Sequence, residues 1–493
     1  MLFNSFSFLI FLPIVAIGYY LLPNRRRWIW LLVASCYFYM AFIPAYILIL
    51  AYLIAIDFAM GILIEQSTGQ TKKIWLKISI LANVGTLFFF KYFNFFNANV
   101  ARVAALIHWN YSPLALSIIL PLGLSFHTFQ SLAYVIEVYK GRYKAERHLG
   151  IYALYVMFFP QLVAGPIERP QQLLPQLHAE HHFNEKPIIE GLEIMLWGFF
   201  KKVVIADTIG VVVDTIYGNL HASSGPILAI AAVAFAIQLY ADFSGYSDIA
   251  RGSAKIFGIT LVNNFDAPFF SKSVAEFWRR WHISLSTWFR DYVYQPLALS
   301  WTRISKIGLY AALFFTFVVI GIWHGAGWTF IFFGITWGVY SVFGLATKKF
   351  RLRLAEKTGL IKISWLYAGL QVVITFILVA IANVFFRAPS LTDALYLIGH
   401  LKNGWSAIVH KPFWLNLVYD SPLTLGLSKY QLFIVAISSI VLFVGEYLEM
   451  YHAVSSWFTK QPRAVRWSAY YLVIFWILIF GYYQPRTFIY FQF

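Results

Sequence analysis

Residues 273–292 read SVAEFWRRWHISLSTWFRDY, and residues 321–328 read GIWHGAGW. Ser273 followed three residues later by Glu276 has the spacing of a capping box. The serine hydroxyl takes an orphan backbone N–H and the glutamate reaches back, so a helix is expected to start here. At 100° per residue Phe277, Trp281, Leu285, Trp288 and Tyr292 fall within one apolar stripe. Arg279, His282, Ser286 and Arg290 line the opposite side at spacings of three and four. That pattern predicts one amphipathic helix lying in a membrane interface. In the second stretch His324 sits between two apolar runs, flanked by Gly321, Gly325 and Gly327 and by Trp323 and Trp328. A titratable group in such a place calls for a functional or hydrogen-bonding reason.

Working outward, composition sets the class. Of 493 residues, 60% are hydrophobic, 20% aromatic and only 12% charged, far below the charged share of a soluble domain. The chain is expected to be an all-α polytopic integral membrane protein. A net charge of +17 would suggest a nucleic-acid partner in a soluble chain. Here the lysines and arginines gather in short loops between apolar spans, as topology determinants do, so no nucleic acid is expected and the partner is the lipid bilayer. The single cysteine, Cys36, lies in an apolar segment. It excludes an internal disulfide and argues against a thiolate nucleophile.

Residues 6–22 are apolar, with no basic residue before them and Arg25, Arg26 and Arg27 after, the reverse of a cleavable signal peptide. The positive-inside rule then puts the N-terminus outside and the arginines in the cytoplasm. Further spans are expected at 29–42, 46–64, 76–93, 114–134, 189–216, 226–241, 308–322, 328–346, 365–386, 432–448 and 470–481. With re-entrant pieces the total is about 11–13 spanning or re-entrant helices, with interfacial amphipathic helices, around a central cavity. Lys348, Lys349, Arg351, Arg353, Lys357 and Lys362 mark a cytoplasmic loop, and the aromatic, weakly charged 387–429 an outer one. No repeat or soluble domain interrupts residues 1–493, which read as one membrane-embedded domain.

Prolines and glycines between 151 and 183 are too dense for a regular span. They predict a short re-entrant or interfacial piece, since irregular backbone at membrane depth survives only when buried in protein or facing a water-filled cavity. His178, Glu180, His181 and His182 follow in a polar loop, at a spacing that matches no standard metal site, so no metal is expected. Lys201 and Lys202 fall mid-span, either as an inward cationic patch or as snorkelling side chains. Residues 242–248, DFSGYSD, read as a polar, glycine-kinked stretch following the 226–241 span.

Nucleotide and hydrolase chemistries find no footing: there is no nucleophile elbow, no P-loop and no pair of carboxylates at helical spacing within a span. Histidine remains, since a neutral imidazole can take a hydroxyl proton near neutral pH. On spacing alone, two readings of His324 and His282 stay open. Each is either a base or a histidine bonding a carbonyl exposed where glycines break a helix.

The blocks WRRWHISLS (278–286) and WHGAGW (323–328) resemble the two signature blocks of the membrane-bound O-acyltransferase (MBOAT) family. More narrowly they are similar to its bacterial branch of alginate and peptidoglycan O-acetyltransferase membrane subunits. FHTFQSLAYVIEVYKG (126–141), FPQLVAGPI (159–167), ADFSGYSDI (241–249) and the tail FIYFQF (488–493) agree. YQPLALS (294–300) departs from the glycine-rich run that branch has after the amphipathic helix, which leaves the acceptor open.

The resemblance implies a bacterial inner-membrane O-acetyltransferase with no tightly bound cofactor. Acetyl-CoA would be the cytoplasmic donor, and the acceptor a hydroxyl on the outer side in alginate-like exopolysaccharide O-acetylation. An extracytoplasmic acetyltransferase partner protein would often complete the transfer to the polysaccharide. It also implies His324 as catalytic base, with His282 at the second motif position. Arg279, Arg280 and Arg290 either bind the phosphates of CoA or anchor the helix to anionic lipid. A cell-wall polymer such as peptidoglycan is the alternative acceptor, and a glycan flippase, with histidines coupling protons, the alternative class. For one histidine to serve both faces, the glycines around His324 must keep it at mid-depth, with a passage to either side.

Overall fold

The computed structural model describes residues 1–111, 120–163, 165–406, 425–484 and 486–491. The described chain is helical, and its one β-type pairing is an isolated bridge between Phe265 and Trp281. Among the described residues seven helices are long and apolar enough to cross a membrane: Pro44–Gln66, Gly69–Leu106, Gly225–Ile256, Trp328–Ala346, Ser364–Arg387, Lys429–His452 and Arg463–Phe480. Phe6–Leu21 and Gly308–His324 are apolar but shorter. This is the expected all-α, polytopic architecture. The expected 114–134 span falls partly outside the described residues, its described helix being Leu124–Tyr139. Lipid-facing surfaces follow from composition: Arg463–Phe480 buries none of its residues, and Leu472, Leu478 and Ile479 stand exposed. Such apolar exposure is stable only in hydrocarbon.

Backbone contacts group the chain into two compact units, residues 1–195 with 246–263, and 196–245 with 264–493. In the first, Ser5 caps helix Phe6–Leu21 by accepting from the Phe8 N–H. Asp57 is fully buried and accepts from Ser79 Oγ at 2.6 Å and from Asn83 Nδ2 at 2.9 Å. A carboxyl group at membrane depth needs such partners. The proline-rich stretch gives short helices at Leu149–Met157, Phe159–Leu162 and Pro170–His178 rather than a span. Its irregular backbone is buried as expected, with Glu168 fully enclosed and accepting from the Val262 N–H at 2.7 Å.

In the second unit the hairpin of Gly308–His324 and Trp328–Ala346 is packed through glycine. A Cβ at Gly321 would lie 2.4 Å from the Phe330 carbonyl oxygen, and one at Gly334 2.5 Å from that of Phe317. Only backbones without side chains approach so closely. Helix Gly225–Ile256 continues without a break through 242–248. Gly245 serves a close approach, since its Cβ would meet the Gly198 carbonyl oxygen at 2.7 Å.

The largest departure from the sequence reading lies in 273–292. Ser273 caps a helix as expected, accepting from the Glu276 N–H at 3.2 Å, while Glu276 accepts from Lys272, one residue before the cap. That helix, Val274–Arg280, then stops, and a second, Ile283–Phe289, follows. His282 stands between them with φ 42°, ψ 56°. The break is stabilised by strand-like pairing: the Asp266 N–H donates to the Arg280 carbonyl, the Ile283 N–H to the Asn264 carbonyl and the Ser284 N–H to Asn264 Oδ1. The periodicity describes both fragments but not the turn that reorients them, so His282 is wholly buried instead of lying on a polar face.

Candidate active site

His324 is the last residue of its helix, and Gly325 continues in an extended conformation that turns the chain toward Trp328. A side chain at Gly325 would strike the Phe330 ring at 2.2 Å, so the turn needs glycine there. The imidazole is 5% exposed and sits in a box of aromatic rings: Trp323 at 4.8 Å, Phe386 at 5.2 Å, Phe333 at 5.4 Å and Tyr490 at 5.7 Å between centroids. It borders a small cavity whose walls include Trp278 and Trp281. The two signature blocks therefore meet at one cavity. The space is a narrow cleft, far below the ~300–1,000 Å³ of pockets that enclose whole small molecules. As it stands the cleft has room for about one water-sized group beside the imidazole, so a substrate's reacting atoms would have to widen it.

His282 reaches the same neighbourhood without bordering that cavity. Its ring lies 4.6 Å from Phe243, edge to face, and 6.3 Å from Trp323, the ring that also touches His324. It lies outside the spanning helices, and burial pushes its imidazole down to about 3. It is held neutral at physiological pH. The arginines of the first block are placed differently again. Arg280 pairs with Glu276 at 3.0 Å, Arg290 with its neighbour Asp291 at 2.7 Å, and Arg279 is exposed.

Several residues beneath the cavity were not paired by sequence reasoning. Lys202 Nζ lies 2.7 Å from both Asp207 Oδ1 and Asp242 Oδ1, and all three side chains are at most 5% exposed. Lys202 thus faces inward, as one of the two sequence readings had it, and Lys201 donates to Ser244. Asp242 Oδ2 accepts the backbone N–H of Ile489 at 2.8 Å. The triad thereby fastens the C-terminal segment, whose next residue, Tyr490, forms a wall of the His324 cavity and stacks on Phe488. The mid-span lysines and the aspartate opening DFSGYSD were visible signals. What the sequence lacked was any sign that residues 202, 242 and 489 converge.

The two histidine blocks thus bring one imidazole among aromatic rings against a buried cavity in a helical membrane protein. Comparison with known proteins gives that class a family. Residues 147–388 match the membrane-bound O-acyltransferase family model. Over 398 residues the chain is 37% identical to the "Probable alginate O-acetylase AlgI" of Pseudomonas aeruginosa, covering 80% of this chain and 73% of that protein. It is 34% identical over 435 residues to the peptidoglycan O-acetyltransferase of Helicobacter pylori, covering 81% and 79%. To the teichoic acid D-alanyltransferase of Bacillus subtilis it is 30% identical over 254 residues, covering 47% and 61%. The chain belongs to the MBOAT family and is a multi-pass membrane O-acyltransferase.

Proposed function

We propose that the protein moves an acetyl group from cytoplasmic acetyl-CoA to a hydroxyl on the outer side of the bacterial inner membrane, for O-acetylation of an alginate-like exopolysaccharide. The observation that carries the reading is His324 bordering a small aromatic cavity that both signature blocks line. The acceptor oxygen attacks the thioester carbonyl while the imidazole takes its proton. The tetrahedral intermediate then collapses, the C–S bond breaks, and the proton passes to the departing CoA sulfur. The products are the O-acetyl ester and CoA thiol, with His324 neutral again. Aromatic walls keep bulk water from competing as acceptor.

CoA carries phosphates, which need cations. Arg279, Arg280 and Arg290 supply them in this reading, with exposed Arg279 free to move toward the donor. The relatives named for alginate and for peptidoglycan are similarly close. A cell-wall polymer is therefore the alternative acceptor, and an extracytoplasmic acetyltransferase is the expected partner in either case. In this topology the N-terminus is outside, and a cysteine at Lys348 is labelled by an impermeant maleimide only after permeabilisation. The deciding experiment supplies radiolabelled acetyl-CoA to purified protein with alginate or peptidoglycan oligomers, with and without such a partner. Acetyl ester formation that depends on His324 supports the reading; CoA release without it, or no turnover with any acceptor and partner, overturns it.

A further inference from the structure

A second open space lies in the first unit, away from His324 and the residues around it. It is a pocket of about 280 Å³ between the start of helix Asn24–Met40, the 148–154 segment and the 176–181 segment. Its walls carry Arg25, Arg27, His148, His178 and His181, against one acidic side chain, Glu180. These are two of the three arginines and part of the histidine cluster singled out in the sequence, which acyl transfer leaves without a role. Among the described residues no three of the His, Cys, Asp and Glu side chains come together as a metal-holding group.

The wall is built, not merely basic. Arg27 donates from Nε to the Leu22 carbonyl at 2.9 Å and from Nη1 to the His181 carbonyl, and its guanidinium lies over the Tyr19 ring at 4.9 Å. It is a fixed charge. His148 accepts the Ile151 N–H at Nδ1, at 3.1 Å, and this puts its own hydrogen on Nε2. Trp28 holds that ring edge-on at 4.8 Å. His178 Nε2 and Glu146 Oε2 are 2.8 Å apart, and Glu146 Oε1 also accepts from the backbone N–H groups of Arg147 and His148, so that nearby carboxylate is already occupied. Arg25 is exposed and, among the described residues, makes no ion pair. Helix Asn24–Met40 has a proline at its N-cap and no side-chain cap; its Arg26 N–H donates to the Pro23 carbonyl at 2.9 Å, and the positive end of its dipole adds to the field.

Fixed cation, exposed cation, imidazole N–H and a helix's positive end around one concavity are what a tetrahedral oxyanion selects. We propose that this pocket binds a phosphate-bearing anion, with Arg25 as the mobile clamp and Arg27 as the fixed one. Two sources share that chemistry. Arg25–Arg27 follow directly on the apolar helix Phe6–Leu21, at the depth where an acidic phospholipid presents its phosphate. A free soluble phosphate is the other. The proposal is independent of the acyl-transfer reading and stands if that reading fails.

The test uses the full-length protein and the Arg25→Glu and Arg25→Gln variants, with Lys349→Glu as a control for charge reversal at an exposed site elsewhere. Native mass spectrometry in detergent counts bound phosphatidylglycerol against phosphatidylcholine, and thermal unfolding is followed with and without inorganic phosphate. Retention of phosphatidylglycerol by the native chain, reduced about tenfold in both Arg25 variants and unchanged in Lys349→Glu, assigns the site to lipid. A phosphate-dependent rise in Tm of a few degrees, lost in both Arg25 variants only, assigns it to a soluble anion. Equal binding in all four proteins, or an equal loss in Lys349→Glu, overturns the proposal. Circular dichroism and gel filtration confirm that each variant is folded before it is scored.

Discussion

The chain has two histidine-bearing segments, and they bury their imidazoles in different ways. His282 occupies a left-handed turn between two short helices and is sealed by packing on every side. His324 ends a long apolar helix and is nearly as buried, yet a cavity lies against it. Burial alone therefore does not mark a reactive group. A sealed histidine costs about as much to protonate and gains nothing for it, because no substrate atom can reach it. In the proposed mechanism the difference divides the roles: His324 would exchange the proton, while His282, through Phe243 and Trp323, would shape the wall beside His324.

The sharpest way to break that division is substitution. His324→Ala should lower acetyl transfer by about 10²–10⁴-fold, the usual contribution of a positioned base, with little change in thermal stability in detergent. His324→Gln, closer in size, should be equally inactive. His282→Ala should instead reduce activity together with Tm, because it opens a void and leaves Phe243 unsupported. If His282→Ala were folded and dead while His324→Ala turned over, the roles would be the reverse of those assigned here.

Next in size is the triad beneath the site. Lys202→Met would leave Asp207 and Asp242 buried near each other without their cation, a change that costs about 3–5 kcal/mol. Because Asp242 also fastens Ile489, the C-terminal segment should loosen, seen as faster proteolysis of a C-terminal tag than in the native protein. A Lys202→Met protein with native Tm and a protected tail would show that the tail is anchored elsewhere. A smaller effect follows from the depressed imidazole of His282. The unfolded chain takes up a proton near 6.5, and the folded one only near 3. The folded state should therefore lose stability as pH falls from 6.5 toward 3, by at most ~1.4 kcal/mol per pH unit. Thermal unfolding of native protein and His282→Gln at pH 7.5 and 5.0 checks this: the native Tm should fall more.

How much of this was legible beforehand differs between the same two segments. Around His324 the sequence was enough: apolar runs fixed both helices, the second to its terminal residues Trp328–Ala346, and glycines marked the close turn. Around His282 it was not. Periodicity records which residues are apolar, and Trp281 and Leu285 are indeed buried, but it carries no trace of a partner strand at 264–266. Asn264 is the residue that breaks the helix, and it does so by pairing with backbone across a long separation. Similarly, Lys202 and Asp242 announced themselves as polar groups inside apolar stretches, while their meeting is a fact of tertiary packing. Local rules recovered the elements, and the site came from contacts that those rules do not encode.

The smallest expected effect concerns the arginines of the broken segment. Arg290 is 56% exposed at its side chain and pairs with the adjacent Asp291, a solvent-screened contact that contributes less than ~1 kcal/mol to stability. Arg290→Ala should therefore leave Tm within a degree or two of native. If its guanidinium serves the donor's phosphates, the substitution should raise KM for acetyl-CoA several-fold at unchanged kcat, because an interaction made equally in ground and transition state affects binding alone. The increase should shrink as salt is added, since an exposed charge contact is screened over about 10 Å at 0.1 M. Lipid anchoring predicts the opposite pattern: unchanged KM in detergent, and weakened activity only in bilayers rich in anionic lipid. Comparing Arg290→Ala in detergent and in such bilayers separates these two roles, and a variant indistinguishable from native in both would remove Arg290 from the site.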